Sequence, residues 1–324
     1  MHPSQALFED QASPVLLPVC DHYAGSEKLM MKSLALQKEL GPVFDITFDC
    51  EDGASISDDR AHATLIRDLL LSEHNLYRRI GVRVHDSKHP SFATDLSVIV
   101  QSCAEQLAFV MLPKVSGVKE VIDAIEQVNQ HAATASQRKI PIHVLIETQS
   151  ALAEVHEIAA IPQVESLSFG IMDFVSSHWN AIPATAMRSP GQFSHPLVMR
   201  AKVEIAAACH LHGKVPSHNV TTEFKDMAIV TSDATRAHLE FGYTRMWSIH
   251  PDQIRPIVKA MAPRSSEINE AISILQAAQE NSWGPINKDG RLHDRASYRY
   301  YWSILKRASM SGMKLPDGAQ YLLQ

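Results

Sequence analysis

Short apolar segments alternate with longer segments of helical periodicity along most of the chain. The apolar segments are rich in β-branched residues and have the length of buried strands, whereas apolar positions spaced three or four residues apart predict helices between them. We predict strands at residues 15–19, 43–48, 80–84, 107–112, 142–146, 166–170, 213–217 and 244–249. Ser57, Ser116 and Ser150 stand where N-caps of the intervening helices are expected.

This alternation of strands and helices predicts an α/β fold, a (β/α)8 TIM barrel, although a doubly wound open sheet has the same alternation. The pattern changes after Pro263, where two helical segments flank a loop containing WGPINKDGRLHD. We therefore predict a TIM-barrel catalytic domain over residues 1–262. Residues 263–324 are predicted to form a C-terminal helical extension, or lid, that packs on a neighbouring subunit.

Composition narrows the kinds of molecule that the protein is expected to bind. The 324 residues are 45% hydrophobic and 20% charged, with a formal net charge of -6 and dispersed Lys and Arg residues. Such a chain is not expected to bind nucleic acid or a membrane surface, and we predict a cytoplasmic protein that acts on a small molecule. The four cysteines form no CxxC pair, which argues against a zinc site or a disulfide framework.

Ionisable side chains follow five consecutive predicted strands, in the order Asp49, Glu51 and Asp52; Arg83 and His85; Lys114; Glu147; and Asp173. Because the active site of a TIM barrel lies at the carboxyl ends of its strands, we expect these groups at one rim. Carboxylates gathered in a partly buried site repel one another unless a cation offsets their charge. The pattern therefore predicts a metal ion.

Glu147 and Asp173 are the predicted metal ligands, and Mg²⁺ is the predicted ion. Magnesium takes one or two protein carboxylates and fills its other positions with water and substrate oxygens. Zinc is less favoured because these strand ends carry few histidines and no cysteine. Asp52 alone is also interpretable as a helix cap or a solvated loop residue, and Lys114 as a solvated loop residue. Most of the 17 histidines are expected to be surface or structural groups.

Seven segments resemble, in order and spacing, the motifs of the citrate lyase beta-subunit-like proteins. They are TFDCEDGA, VRVHD, MLPKV, LIETQSALAEVHEIA, SLSFGIMDF, FGYTRMWSIHPDQI and INKDGRLHD. That group belongs to the HpcH/HpaI aldolase family and includes the malyl-CoA and citramalyl-CoA lyases. The resemblance extends from about residue 13 to about residue 307.

The resemblance implies a TIM barrel of the phosphoenolpyruvate/pyruvate superfamily, a homotrimer or homohexamer that uses Mg²⁺ and often a CoA thioester. Carried onto this chain, the family's metal ligands fall on Glu147 and Asp173, its substrate-binding arginine on Arg83, and its second-sphere acids on Glu51 and Asp52. The segment DGRLHD resembles the family's lid, whose acid, here Asp294, is delivered to the active site of a neighbouring subunit.

Two segments depart from the family pattern. A Pro-Gly turn usually follows strand one, and here the sequence assigns Cys20 and Asp21 to that place. After strand seven, His218 and Asn219 stand where many members carry an Ala-Ile-Asp-Gly type of stretch, and residues 176–196 are also unlike the usual continuation. The metal half of the site resembles the family, whereas the half that receives the acyl carrier departs from it.

We predict a Mg²⁺-dependent carbon-carbon lyase that cleaves a small 3-hydroxy acid, as a malyl-, citramalyl- or citryl-CoA-like thioester, by retro-aldol or retro-Claisen chemistry. Arg83 is predicted to offset the developing enolate charge or bind the carboxylate. The predicted acid/base is Asp294 of an adjacent subunit, or else a metal-bound water held by Glu51 and Asp52. Asp49 and Lys114 complete the predicted substrate-binding set.

Three alternatives use the same fold. An aldolase acting on a free hydroxy-oxo-acid keeps the site without CoA, and a hydroxyacyl-CoA thioesterase hydrolyses the thioester instead. A non-catalytic subunit that binds a metabolite, or that only supports a lyase complex, would not need both metal ligands and an acid on a lid.

Overall fold

The computed structural model describes residues 3–8, 14–54, 58–316 and 318–323. Two compact units make up the chain: Val19–Met261 forms one, and Met1–Pro18 together with Ala262–Gln324 forms the other. Among the helices of the described chain, none combines the length and the apolar character that crossing a bilayer requires.

The unit Val19–Met261 is a closed barrel of eight parallel strands. The strands are β1 Cys20–Ala24, β2 Asp45–Asp49, β3 Ile80–Arg83, β4 Leu107–Leu112, β5 Ile142–Ile146, β6 Val164–Phe169, β7 Val215–His218 and β8 Arg245–Ser248. Because β8 pairs with β1, the sheet has no open edge, and the doubly wound alternative is excluded. The predicted TIM barrel is confirmed.

Helices connect the strands of the barrel. Numbered along the whole chain, the helices are α1 Pro3–Phe8, α2 Glu27–Leu40, α3 Asp59–Leu71, α4 Phe92–Asp95, α5 Gln101–Cys103, α6 Val118–Ala132, α7 Gln149–Ala153, α8 Val155–Ala160, α9 Ile171–Ser176, α10 Pro196–Leu211, α11 Met227–Phe241, α12 Pro251–Met261, α13 Ser265–Glu280 and α14 Arg295–Met310. Of these, α1, α13 and α14 belong to the other unit. A π-helical turn, Leu96–Val100, joins α4 to α5. In α6, Val121, Ala124, Ile125 and Val128 are buried, which is the spacing of a single helix face packed on a sheet.

The helix caps differ from the predicted ones. Ser57 lies outside the described residues, and the carboxylate of Asp58 caps α3. The hydroxyl of Thr148, rather than that of Ser150, accepts the capping hydrogen bond of α7, and the Ser116 side chain does not cap α6. Cap positions shift easily by one or two residues because several neighbouring polar side chains compete for the same N–H groups.

The first strand lies five residues beyond its predicted place, at β1 instead of residues 15–19. Its Asp21 is fully buried, although a carboxylate is almost never fully buried in a protein unless it is paired. The carboxylate accepts a hydrogen bond from Thr47 at 2.7 Å and pairs with Arg245 at 3.1 Å. Both partners are distant in sequence, so the local sequence of β1 alone does not predict a buried strand.

This displacement also corrects the predicted turn after strand one. Cys20 and Asp21 lie inside β1 and form no part of that turn. The turn contains Gly25, where an added Cβ atom would lie only 1.9 Å from the carbonyl oxygen of Gly53. Only glycine fits this close approach of two backbone segments.

A buried ionic group fills part of the barrel interior. Arg245 pairs with Asp21 and, at 2.6 Å, with Asp45, and all three side chains are fully buried. Arg79 makes a further ion pair with Asp45 at 2.6 Å. Burial raises the pKa of Asp21, and the positive charge of Arg245 acts in the opposite direction. Arg245 is therefore the cation that both carboxylates share, and Arg79 is a second partner of Asp45 alone.

The other unit contains the two predicted helices of the C-terminal segment, α13 and α14. The loop predicted between them holds a hairpin of β9 Ile286–Lys288 and β10 Arg291–His293. Asp289 and Gly290 form its turn with φ values of 52° and 75°, as tight two-residue hairpin turns require. The apolar core of this unit includes Leu7, Ile268, Leu275, Tyr298, Trp302, Leu305 and Leu322.

Replacing Arg245 with leucine should lower the free energy of unfolding by about 3–5 kcal/mol, because Asp21 and Asp45 would keep buried carboxylates without their common partner. Urea denaturation measures this change. The matched control is Arg255→Leu, whose ion pair with Glu39 is exposed and whose loss should change stability by at most about 1 kcal/mol. Equal losses in the two variants would show that the buried group is not a determinant of stability.

Candidate active site

Arg83, the last residue of β3, is the centre of the polar cluster at the barrel rim. Its Nε donates to one carboxylate oxygen of Asp49 at 2.7 Å and its Nη2 to the other at 2.6 Å. Its Nη1 pairs with Glu51 at 2.9 Å. Burial alone lowers the pKa of Arg83, but the charge of Asp49 and its hydrogen bonds outweigh burial and raise the pKa above its usual value. The guanidinium is therefore a fixed cation.

Asp49 has no carboxylate oxygen left for a substrate. Besides the two bonds from Arg83, its oxygens accept the backbone N–H groups of Glu51 at 3.0 Å and Gly53 at 2.8 Å. The residue is only 1% exposed. We therefore assign Asp49 to holding Arg83 and the loop that follows β2, rather than to the substrate-binding role expected from the sequence.

Lys114 is an ion-paired residue and not the solvated loop residue that the sequence also allows. Its Nζ contacts the carboxylate of Glu51 and pairs with Asp52 at 2.9 Å. Burial lowers the pKa of Lys114, but its hydrogen bonds to Glu51 and Asp52 outweigh burial and raise the pKa. Glu51 and Asp52, the two acids that follow Asp49, are thus both paired with the ammonium group of Lys114.

Glu147 follows β5 directly and is 2% exposed. One of its oxygens accepts the backbone N–H of Lys114 at 2.5 Å. Gly170 leaves room for it, since a Cβ atom there would lie 2.5 Å from the other oxygen. Burial, and then the negative charge of Asp173, raises the pKa of Glu147 to about 8.

Asp173 lies in the first turn of α9 and is partly exposed. Among the residues that the structure describes, its carboxylate has no hydrogen-bond or ion-pair partner. Its charge raises the pKa of the buried Glu147, so the pair is electrostatically strained without a cation. Two carboxylates with free oxygens and no nitrogen or sulfur ligand fit a hard dication such as Mg²⁺. Glu147 and Asp173 are therefore the residues that would hold it.

Two aromatic residues at this rim were not predicted from the sequence. The rings of Tyr23 and Trp247 stack with centroids 4.4 Å apart, and the Arg83 guanidinium lies 5.3 Å from the centroid of Tyr23. The Tyr23 hydroxyl and the Trp247 indole N–H are buried, and neither has a hydrogen-bond partner among the described residues. Burial raises the pKa of Tyr23 well above its usual value, so the phenol stays a donor. Tyr23 escaped notice because it belongs to the misplaced first strand.

His218 and Asn219 form a buried structural group. Lys202, in α10, directs its Nζ at the Nε2 of His218, the Oδ1 of Asn219 at 2.7 Å and the Oε1 of Gln192 at 3.0 Å. These three acceptors match the three N–H donors of an ammonium group. Gln192 comes from residues 176–196, so the two segments that depart from the family pattern after strand six pack together.

Asp294 belongs to the other compact unit, where it caps α14. Its carboxylate accepts the N–H groups of Ala296 at 3.0 Å and Ser297 at 3.3 Å. The side chain is exposed. Its delivery to the active site of a neighbouring subunit stays a prediction.

Residues 24–251 match the profile of the family described as HpcH/HpaI aldolase/citrate lyase. The chain belongs to this family. The match covers β2 to β8 and the last residue of β1, and it includes Arg83, Glu147 and Asp173. At the level of the family, the predicted carbon-carbon lyase is confirmed.

Known proteins resemble this family member over most of its length. A protein from Burkholderia xenovorans LB400, described as a citrate lyase in its crystal structure, is 54% identical to this chain. The two structures match over 99% of each chain with a TM-score of 0.86. The L-malyl-CoA/beta-methylmalyl-CoA lyase of Rhodobacter capsulatus is 28% identical over 283 residues, 82% of this chain and 87% of the relative. CitE from Mycobacterium tuberculosis, in complex with magnesium, acetoacetate and coenzyme A, is 20% identical, covers 92% of this chain and 98% of CitE, and has a TM-score of 0.66.

Magnesium should bind this protein more tightly as the pH rises through about 8, the pKa of Glu147. Below that pH the raised pKa keeps a proton on Glu147 that the ion must displace, and above it the carboxylate is already free. Calorimetric titration of Mg²⁺ in buffers of different ionisation enthalpy measures both the affinity and the protons released.

The control for this experiment is Glu147→Gln, which removes the titrating group while keeping its shape. It should bind Mg²⁺ weakly and without proton release at any pH. A wild-type affinity that does not change with pH would contradict the assignment of Glu147 as a ligand.

Proposed function

We propose that the protein is a Mg²⁺-dependent lyase that cleaves the carbon-carbon bond of a small 3-hydroxyacyl-CoA thioester of the malyl-, citramalyl- or citryl-CoA type, or forms it in the reverse direction. The buried Glu147 next to the partly exposed Asp173, beside the fixed charge of Arg83, is the observation that carries this proposal. The substrates named for the Rhodobacter capsulatus lyase, and the magnesium and coenzyme A in the Mycobacterium tuberculosis complex, support it.

The proposed cleavage moves one proton from oxygen and one to carbon. The β-hydroxyl loses its proton as the bond between the α and β carbons breaks, which leaves a carbonyl on the oxo-acid. The bonding electrons pass to the α carbon as a thioester enolate, and protonation of that carbon yields the acyl-CoA. When bound, Mg²⁺ would supply positive charge that holds the oxo-acid half and polarises its oxygen.

Arg83 is proposed to bind the substrate through its free N–H groups. Hydrogen bonds to Asp49 occupy two of the guanidinium's five N–H donors. Nη1 forms an ion pair with Glu51 at 2.9 Å. The N–H groups that are not bonded to Asp49 can donate to the substrate carboxylate or to the oxygen on which negative charge develops. A donor that is held in place before the reaction stabilises that charge without reorganising.

Tyr23 and Trp247 are proposed to contribute two further donors. Their rings stack beside the Arg83 guanidinium, and their buried O–H and N–H groups lack hydrogen-bond partners among the described residues. An unpaired buried donor is unfavourable, so a ligand oxygen that pairs with both would gain affinity and orientation.

Lys114 uses Glu51 and Asp52 as partners, which leaves it one N–H for an anionic substrate group.

The acid/base is proposed to be Asp294 of a neighbouring subunit in a homotrimer or homohexamer. The alternative is a water held by an acid at the rim. Of the two acids expected for that role, Glu51 has both oxygens paired with cations, whereas Asp52 is 61% exposed and keeps one oxygen free. Asp52 is therefore the better candidate to hold such a water, and Glu51 bridges Arg83 and Lys114.

The purified protein with Mg²⁺ should convert one of malyl-CoA, citramalyl-CoA and citryl-CoA into an acyl-CoA and an oxo-acid, as followed by mass spectrometry. Asp173→Asn should lower kcat/KM by about 100- to 1000-fold, the loss typical of removing one electrostatic contact to a transition state. Asp123→Asn, which changes an exposed acid of α6, is the matched control and should keep full activity.

Each other product of this experiment supports a different function. Free CoA with an intact hydroxy acid would mean a thioesterase, and cleavage of only the free acids would mean an aldolase without CoA. Tight binding of a thioester with no turnover would favour a non-catalytic subunit.

Mixing two inactive variants tests the acid from the neighbouring subunit. Asp294→Asn keeps a side chain that caps helices well, so α14 should stay folded. Co-expression with Asp173→Asn in equal amounts should restore about one quarter of wild-type activity, because a quarter of randomly paired barrels and lids in a symmetric oligomer carry neither change. Homogeneous oligomers of either variant are the controls. If the mixed oligomers stay inactive, Asp294 does not act across subunits.

A further inference from the structure

A second cluster of metal-binding side chains lies beside β3, separate from Glu147 and Asp173. Asp59 begins α3, and His85 and His89 follow β3. Each offers one ligand atom, and these atoms all lie within 4.8 Å of one another. The Nε2 of His85 is 3.8 Å from a carboxylate oxygen of Asp59. The imidazole rings of His85 and His89 stack with their centroids 4.4 Å apart.

A buried carboxylate orients His85. Asp95, which is fully buried at the end of α4, accepts hydrogen bonds from both the backbone N–H and the Nδ1 of His85 at 2.8 Å. Because a carboxylate accepts, Nδ1 carries a proton, and in the neutral imidazole the lone pair of Nε2 is directed toward Asp59. A carboxylate behind the outer nitrogen of a histidine is the usual arrangement that orients a metal-binding imidazole.

The spacing of the ligand atoms suits a tetrahedral ion. Two ligands bonded at about 2.1 Å to one tetrahedral Zn²⁺ lie about 3.4 Å apart. The distance of 3.8 Å between His85 and Asp59 is close to this value. His89 is exposed, and its Nδ1 accepts the N–H of Ser91 at 3.2 Å. An ion at Asp59 and His85 would have to displace this hydrogen bond to reach the Nδ1 lone pair of His89.

The donor set separates this cluster from the magnesium site. Two imidazole nitrogens and one carboxylate suit zinc and related transition metals, whereas Mg²⁺ prefers oxygen ligands alone. Three protein ligands leave the fourth position open. His85 and His89 line a cavity of about 370 Å³ together with Lys114 and the acids Glu51, Asp52 and Asp86, so water can reach the open position.

We propose that Asp59, His85 and His89 bind one transition-metal dication of the Zn²⁺ class, in addition to any ion at Glu147 and Asp173. Asp95 is the positioning residue of this site.

Titration of the full chain with Co²⁺, in the presence of saturating Mg²⁺, tests the proposal through the visible absorption of the cobalt ion. One equivalent should bind and be displaced by Zn²⁺. Asp59→Asn and His89→Gln should each weaken binding by at least about tenfold, and Asp95→Asn by about 10- to 100-fold. His74→Gln, which changes an exposed histidine outside the cluster, is the matched control.

The double variant Glu147→Gln/Asp173→Asn distinguishes the two sites. It should keep the cobalt signal, while His89→Gln, whose exposed side chain is not needed for folding, should lose it. The proposal is overturned if the wild-type protein binds no stoichiometric Co²⁺, because Asp59 and His85 would then be a simple ion pair. It is also overturned if the signal depends on Glu147 and Asp173 alone.

Discussion

The burial of Glu147 beside Asp173 is the interaction on which the rest of the rim depends. A carboxylate that is 2% exposed and next to a second acid keeps its proton to about pH 8. Gly170 leaves the space for it, and the Lys114 backbone holds it in place. A site built this way is unfavourable when both acids are ionised and empty, and it becomes favourable when a dication supplies the missing charge.

The other acids at the rim have separate tasks. Asp49 uses every oxygen on Arg83 and on its own loop, so it sets where the guanidinium points. Glu51 bridges Arg83 and Lys114, and Asp52 keeps an oxygen toward solvent. The five carboxylates therefore do not form one diffuse negative patch. Two are free for a cation, and three hold the positive charges that face it.

The parts of this site that the sequence predicted are those encoded locally. The strands from β2 to β6 are apolar runs, so Glu147 and Arg83 could be placed at strand ends before the fold was known. β1 was misplaced because Arg245, the partner that permits a buried Asp21, belongs to β8, which neighbours β1 in space but is the last barrel strand in the sequence. Tyr23 lies in the same strand, so the sequence did not predict it as a site residue. The role of Asp49 also required structure, since only the geometry shows which oxygens are already occupied.

The most direct test of the roles assigned to Glu147, Asp173 and Arg83 is a crystal structure of the protein with Mn²⁺ in place of Mg²⁺ and a small oxo-acid such as pyruvate. The anomalous signal of Mn²⁺ locates the ion independently of its surroundings. We expect a peak bonded to Glu147 and Asp173, with the oxo-acid between the ion and the free N–H groups of Arg83. A peak elsewhere in the barrel, or an oxo-acid bound away from Arg83, would contradict these roles.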